Sequence, residues 1–349
     1  MAKYAAGKAL KRYLRTYPFA PRYRAGRPLT LHAADGVRLA ATWLEGPVSA
    51  PALRLLAPDN DVFAMARFSK PEARDELQSS GVTCIQHDLF DPFDDLPDDF
   101  DYVFHSALPL ERNAAGRIDV PVRGTWPDSF DAYADATGRL MAHCRSAKGF
   151  LFASTISVYD PPGGDTPVPE THPFGIHLER AYAFTKVANE AVISHLSRSL
   201  EVPATIIRVG SASGVDGGPT RERLDRIVAG KPIRLHTDKP NYTRPIFEPD
   251  CARLGVAALC AGRVPPLVVN WCGDDVVSVE EYCTFMGELV GKAPIFEYTP
   301  KTWCSLVPDT TFMHEVLGHC EVNWRDGCRM LVAQCYPEFV ESDRKEQQQ

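Results

Sequence analysis

Phe150-Leu-Phe-Ala153, the amphipathic run Ala181–Leu200 and then Thr205-Ile-Ile-Arg-Val209 read in order as strand, helix, strand. The outer pieces are short and apolar, as strands buried on both faces must be. The same alternation extends both ways along the chain. Further strands are predicted at Leu53–Leu56, Val62–Met65, Thr83–Gln86, Tyr102–His105 and Leu267–Asn270. Helices are predicted at Pro71–Ser80, Ser129–Ala147 and Arg221–Ala229. Strand–helix alternation implies a doubly wound parallel α/β sheet, whose ligands bind beyond the carboxyl ends of the strands. Past Gly210 the alternation thins and Pro, Gly and polar residues increase, which suggests a smaller C-terminal substrate lobe.

The chain has 349 residues, enough for a large α/β domain with a smaller lobe. A net charge of −7 argues against nucleic acid as the main partner. No apolar run approaches a membrane span, and Lys8, Lys11 and Arg12 interrupt any signal-peptide core. The ten cysteines form no CxxC pair, so zinc-finger spacing is absent and reduced thiols in a cytoplasmic protein are expected. The first thirty-four residues carry Lys and Arg but no Asp or Glu, and read as a solvated basic extension. Residues 29–43 read as two strand-like pieces around an Asp35-Gly36 hairpin turn.

Tyr182-Ala-Phe-Thr-Lys186 places a phenol and an ammonium one helical turn apart on one face. A tyrosine is a poor base at neutral pH, but a neighbouring ammonium stabilises its phenolate. The pair can exchange a proton with a substrate hydroxyl or carbonyl. Ser154 and Thr155, just past the strand, are placed to hold the substrate oxygen. A surface Tyr/Lys pair is the competing reading of YxxxK alone. The strand-end Ser-Thr upstream and the strand downstream tip the balance to a site. His105 is expected to be a satisfied core histidine.

Together these segments resemble the extended short-chain dehydrogenases/reductases of the NAD-dependent epimerase/dehydratase type, over about residues 61 to 340. Phe152-Ala-Ser-Thr-Ile-Ser-Val-Tyr-Asp160, Tyr182 with Lys186, Asp101-Tyr-Val-Phe-His-Ser-Ala107 and Gly81-Val-Thr-Cys-Ile-Gln-His-Asp-Leu89 fall in family order. Ile206-Ile-Arg-Val-Gly210, Val269-Asn270, Leu317-Gly318 and Trp324-Arg-Asp-Gly327 also fit. The resemblance implies a Rossmann-like core over residues 53–210, a substrate lobe over 211–349 to which Leu267–Asn270 does not belong, and an atypical extension over 1–52. It implies Tyr182 as general acid/base, Lys186 as the group that lowers its pKa and binds the nicotinamide ribose, and Thr155 as the donor to the reacting oxygen. Asp88 and Leu89 would meet adenine, and Ser106 and Ala107 the ribose and phosphates. Ser154, Arg208 and Arg244 are the substrate-side candidates, Arg244 as the grip on a sugar-nucleotide diphosphate. Arg67, after the second strand, suits the 2′-phosphate of NADP, whereas an acidic residue would suit NAD; the cofactor is NADP or NAD, with a lean to NADP. The family also implies homodimers.

The pattern breaks at the start. A strand, a GxxGxxG loop and a helix should precede the second strand, yet Leu53-Arg-Leu-Leu-Ala-Pro-Asp-Asn-Asp-Val62 runs directly into it, with no glycine loop and no room for a first helix. Residues 28–57 look more like the start of an α/β-hydrolase, but no Gly-x-Ser-x-Gly follows. Three explanations stand open: a mosaic or misassigned N-terminus, cofactor binding without the usual loop, or a cofactor-free binding or scaffold protein. Gly210-Ser-Ala-Ser-Gly-Val-Asp-Gly-Gly218 reads as a substrate-side loop. Ile156-Ser157 stands where nucleotide-sugar dehydratases carry Asp-Glu, so dehydration is disfavoured. The expected activity is hydride transfer at a carbinol carbon of a sugar-like small molecule, as net redox chemistry or as epimerisation. The Arg244 segment carries Glu248-Pro249 in place of the family's His-Val.

Overall fold

Seven strands hydrogen-bond in one sheet, and every pairing within it is parallel. They are β1 (Arg38–Thr42), β2 (Asp61–Ala66), β3 (Thr83–Gln86), β4 (Tyr102–His105), β5 (Gly149–Thr155), β6 (Ala204–Val209) and β7 (Leu267–Trp271). Their spatial order is β3-β2-β1-β4-β5-β6-β7. The chain therefore winds outward from β1 to β3, returns to β4 beside β1, and winds the other way to β7. The reversal between β1 and β4 is the switch point at which such sheets open a crevice for ligands. The computed structural model describes residues 38–42, 48–107, 111–112, 118–119, 126–175 and 181–339. Contacts divide the chain into Met1–Thr30, which lies outside the described residues, and Leu31–Gln349.

The start of the core differs from the sequence expectation. Leu53–Leu56 is not a strand. It belongs to helix α1 (Ala50–Leu56), with Pro51 in the first turn, where a missing N–H costs nothing. Ala52, Leu53 and Leu56 are buried while Leu55 is exposed, a helical rather than an alternating pattern. A first helix thus has room, because the strand before it is β1, inside the stretch read as an extension. Asp101 fixes the entry of β1: its carboxylate accepts from the Arg38 N–H at 2.9 Å and its own N–H donates to the Arg38 carbonyl at 2.8 Å. β1 has β2 on one edge and β4 on the other, so neither edge is left for a hairpin partner. The turn residues Asp35 and Gly36 lie outside the described residues.

Period-two alternation sends the strand side chains to two cores. Leu39, Ala41, Val62, Ala64, Leu151, Ala153 and Ile207 meet α1 and helix α6 (Glu248–Cys260) on one face. On the other face Val103, Phe150, Phe152, Ala204 and Ile206 meet helices α3 (Trp126–His143) and α4 (Ala181–Leu200). Helix α2 (Pro71–Ser79) joins β2 to β3. A third apolar cluster unites α5 (Pro219–Val228), α7 (Val279–Leu289) and α9 (Trp324–Cys335) through Leu224, Tyr282, Met286 and Leu331. The remaining helix, α8 (Thr311–Val316), packs near β7. No helix among the described residues is long and apolar enough to cross a membrane.

Candidate active site

Helix α4 begins at Ala181, so Tyr182 lies in its first turn and Lys186 one turn on. Strand β5 ends at Thr155, which caps the short turn Ile156–Val158 by accepting from the Ser157 N–H at 3.2 Å. Thr155 also hydrogen-bonds Tyr182. Burial pushes the phenol's pKa up, and the Thr155 hydroxyl opposes that rise by favouring the phenolate. The Lys186 ammonium is buried, donates to the Ala153 carbonyl at 2.6 Å, and lies 4.8 Å from the Phe152 ring centroid and 5.9 Å from that of Tyr182. Burial drives its pKa down to about 7, with the Glu190 carboxylate pulling the other way. Thr155, Tyr182 and Lys186 therefore converge at the carboxyl end of β5.

Ser154 and Arg208 go elsewhere. Ser154 donates to Glu190 Oε1 at 2.5 Å. Arg208 forks onto Glu190, with Nε 3.1 Å from Oε1 and a terminal nitrogen 2.7 Å from Oε2. It also donates to the Tyr159 hydroxyl and the Glu170 carbonyl, both at 2.9 Å. Burial works against the guanidinium's charge, but the Glu190 carboxylate outweighs it and raises the Arg208 pKa. Tyr159 donates to Asn270 Oδ1 at 2.6 Å, and the Asn270 N–H donates to Glu170 at 2.8 Å. This buried network supports the floor of the site, and sequence reasoning missed Glu190, its hub. The signal was available: Glu190 lies four residues beyond Lys186, on the same helix face.

The adenosine-side candidates all follow strand carboxyl ends. Arg67 is exposed, one residue past β2, and makes no hydrogen bond or ion pair among the described residues. Asp88, past β3, accepts the Phe90 N–H at 3.1 Å, and Leu89 is buried. Ser106, past β4, donates to Ser49 at 2.8 Å; both are buried, and Ala107 is half-buried. His105 is fully buried against Thr137 at 3.1 Å, and burial with the nearby Lys186 charge lowers its pKa to about 3. It is a neutral core histidine. Arg244 donates to the carbonyls of Gly273 at 3.3 Å and Asp274 at 2.5 Å, while its Nε is buried without a partner among the described residues.

With β1 and α1 placed, the GxxGxxG spacing falls on Trp43, Gly46 and Ser49, so one glycine of three is present. Residues 43–47 lie outside the described residues. The groups present suit the two ends of a dinucleotide. Lys186, Tyr182 and Thr155 could serve a nicotinamide ribose and a reacting oxygen, and Arg67, exposed past β2, could meet an adenosine ribose. The pyrophosphate section is the atypical part, with Pro51 removing one N–H from the helix start.

Residues 49–246 match the model of the NAD dependent epimerase/dehydratase family. No curated protein sequence matches the chain. Among solved structures, UDP-glucuronic acid 4-epimerase from Bacillus cereus, in complex with UDP-glucuronic acid and NAD, is 19% identical, with a TM-score of 0.70 over 86% of this chain and 100% of that chain. UDP-N-acetylglucosamine 4-epimerase from Methanobrevibacter ruminantium, in complex with UDP-N-acetylmuramic acid, is 16% identical, with a TM-score of 0.71 over 86% and 99%. UDP-glucose 4-epimerase from Thermotoga maritima, with UDP-glucose, is 18% identical, with a TM-score of 0.72 over 87% and 100%. At such identities these likenesses speak to the fold.

Proposed function

Since the chain belongs to the NAD-dependent epimerase/dehydratase family, we propose that it is an NAD(P)-dependent epimerase of a nucleotide-linked sugar, with Tyr182 as its acid/base. The observation that carries this reading is the convergence of Thr155, Tyr182 and Lys186 at the carboxyl end of β5. Three structural neighbours are UDP-sugar 4-epimerases, each solved with a UDP-linked sugar.

Tyr182 takes a proton from a substrate hydroxyl and returns it to the carbonyl oxygen. Burial stabilises the protonated phenol, while Thr155 stabilises the phenolate, as a neighbouring ammonium such as Lys186 does when charged. That opposition suits a reaction in which one proton must leave and come back. Thr155 also holds the reacting oxygen in line. Lys186, Ser106, Ala107, Asp88, Leu89 and Arg67 would hold the dinucleotide, which when bound supplies hydride exchange at the carbinol carbon. Arg67 leans the choice toward NADP. Arg244 keeps a buried N–H with no partner among the described residues, which suits a diphosphate oxygen. Homodimerisation and a cytoplasmic setting complete the proposal.

A cofactor-free binding protein is the second reading, favoured by the glycine-poor connection and by Ser49 and Ala50, which are each 1% exposed at the start of α1. Incubation with UDP-glucose or UDP-glucuronic acid and either cofactor, followed by NMR of the sugar ring, tests the first reading. Appearance of the 4-epimer supports it, and its absence together with absence of cofactor binding favours the second.

A further inference from the structure

Beyond residue 246, where the family match ends, three side chains from separate segments meet. Asp274 lies three residues past β7, His314 is on α8, and His319 follows the turn at Gly318, whose φ is +100°. One donor atom from each lies within 4.8 Å of the other two. Asp274 Oδ1 is 2.8 Å from His314 Nε2, and Oδ2 is 3.1 Å from His319 Nδ1. The imidazole centroids are 3.9 Å apart at an interplanar angle of 27°. We propose that Asp274, His314 and His319 form a divalent transition-metal site of the zinc class.

The donor set is of the right kind. Two imidazoles and a carboxylate are borderline ligands that select zinc and its neighbours over calcium or magnesium. Metal–donor bonds of about 2.0–2.2 Å place adjacent donors roughly 3.3 Å apart around a tetrahedral ion, within reach of a small shift from donors that lie within 4.8 Å of one another. The His319 side chain is 70% exposed, so it can swing to close the geometry, and it leaves an entry path for the ion.

The neighbouring charges are already engaged. Arg253 meets Asp250 at 2.8 Å and Glu321 at 3.4 Å and donates to the His319 carbonyl. Arg244 donates to the carbonyl of Asp274, not to its carboxylate. Each carboxylate oxygen of Asp274 faces a histidine, and the carboxylate also accepts the Cys320 N–H. An ion here would staple the segment after β7 to the α8 corner. It would also stiffen the two carbonyls that hold Arg244, and so reach the substrate side from outside the acid/base centre. The competing account is that Asp274 only accepts hydrogen bonds, one from each ring and one from the Cys320 backbone.

Calorimetric titration of the metal-free full chain with Zn²⁺ separates the two, with Co²⁺ visible absorption as a second readout. The expected result is one Zn²⁺ per chain with Kd on the order of micromolar or tighter, accompanied by a rise in Tm. His319→Ala, on an exposed side chain that leaves the fold intact, should weaken binding at least about tenfold, and Asp274→Asn should abolish the Co²⁺ spectrum. No saturable binding up to about millimolar Zn²⁺, or an affinity unchanged in His319→Ala, would overturn the proposal.

Discussion

The Lys186 ammonium donates to the Ala153 carbonyl across 2.6 Å, and this tie seats a charge inside the protein one helical turn below Tyr182. Burial lowers its pKa from 10.5 to about 7. Below that value the ammonium is charged in the folded and unfolded states alike, and the burial cost is full. Above it the folded protein holds the neutral amine while the unfolded chain still binds the proton. Stability from this group therefore rises with pH from about 7 toward 10.5. Lys186→Met removes the titration. Its Tm relative to wild type should be most favourable at or below pH 7 and decline as pH rises toward 10.5, read by thermal unfolding across that range. A Tm difference independent of pH would show that the ammonium is not buried in this way.

Tyr182→Phe deletes the proton-carrying oxygen and little else. Turnover should fall by roughly 10²–10⁴-fold, with cofactor affinity and Tm nearly unchanged. Thr155→Val should act in the same direction, and it also removes the opposition to the burial-raised phenol pKa. Turnover that survives in Tyr182→Phe would remove this residue from the chemistry.

Glu190 and Arg208 form a buried pair whose side chains are 8% and 5% exposed. Glu190→Ala leaves the guanidinium buried without its counter-charge and should cost about 3–5 kcal/mol in denaturant unfolding. Replacing both partners with leucine should cost less than the single change. Equal losses would mean that the pair is not the unit of stability.

Arg67 tests the cofactor preference. Arg67→Glu should weaken NADP(H) relative to NAD(H), since a carboxylate repels a 2′-phosphate and accepts from a 2′-hydroxyl. An unchanged ratio would place Arg67 away from the adenosine ribose.

Much of this architecture is legible because β2 and β4 to β7 carry apolar runs and α4 a long amphipathic one. Strand β1 is not, because Arg-Leu-Ala-Ala-Thr is weakly apolar, and its place between β2 and β4 is a long-range fact. Leu53-Arg-Leu-Leu56 is ambiguous because a run of four residues cannot separate helix from strand; Pro51, which fits a first helical turn, is the local signal for helix. Ser154 and Arg208 were expected at the substrate because they stand near strand ends. They extend the faces of Phe150 and Phe152, and of Ala204 and Ile206, which look toward α4, so period-two alternation sends them to Glu190. The clamp of Asp274 by two histidines had no local signature, since forty residues separate Asp274 from His314.

The account depends most on a dinucleotide binding beside Tyr182 and Lys186 despite two missing glycines. Calorimetric titration of the full chain with NADP(H) and NAD(H) tests this directly. The account predicts saturable binding in the micromolar range, weakened in Lys186→Met. No binding of either cofactor at millimolar concentration would contradict it.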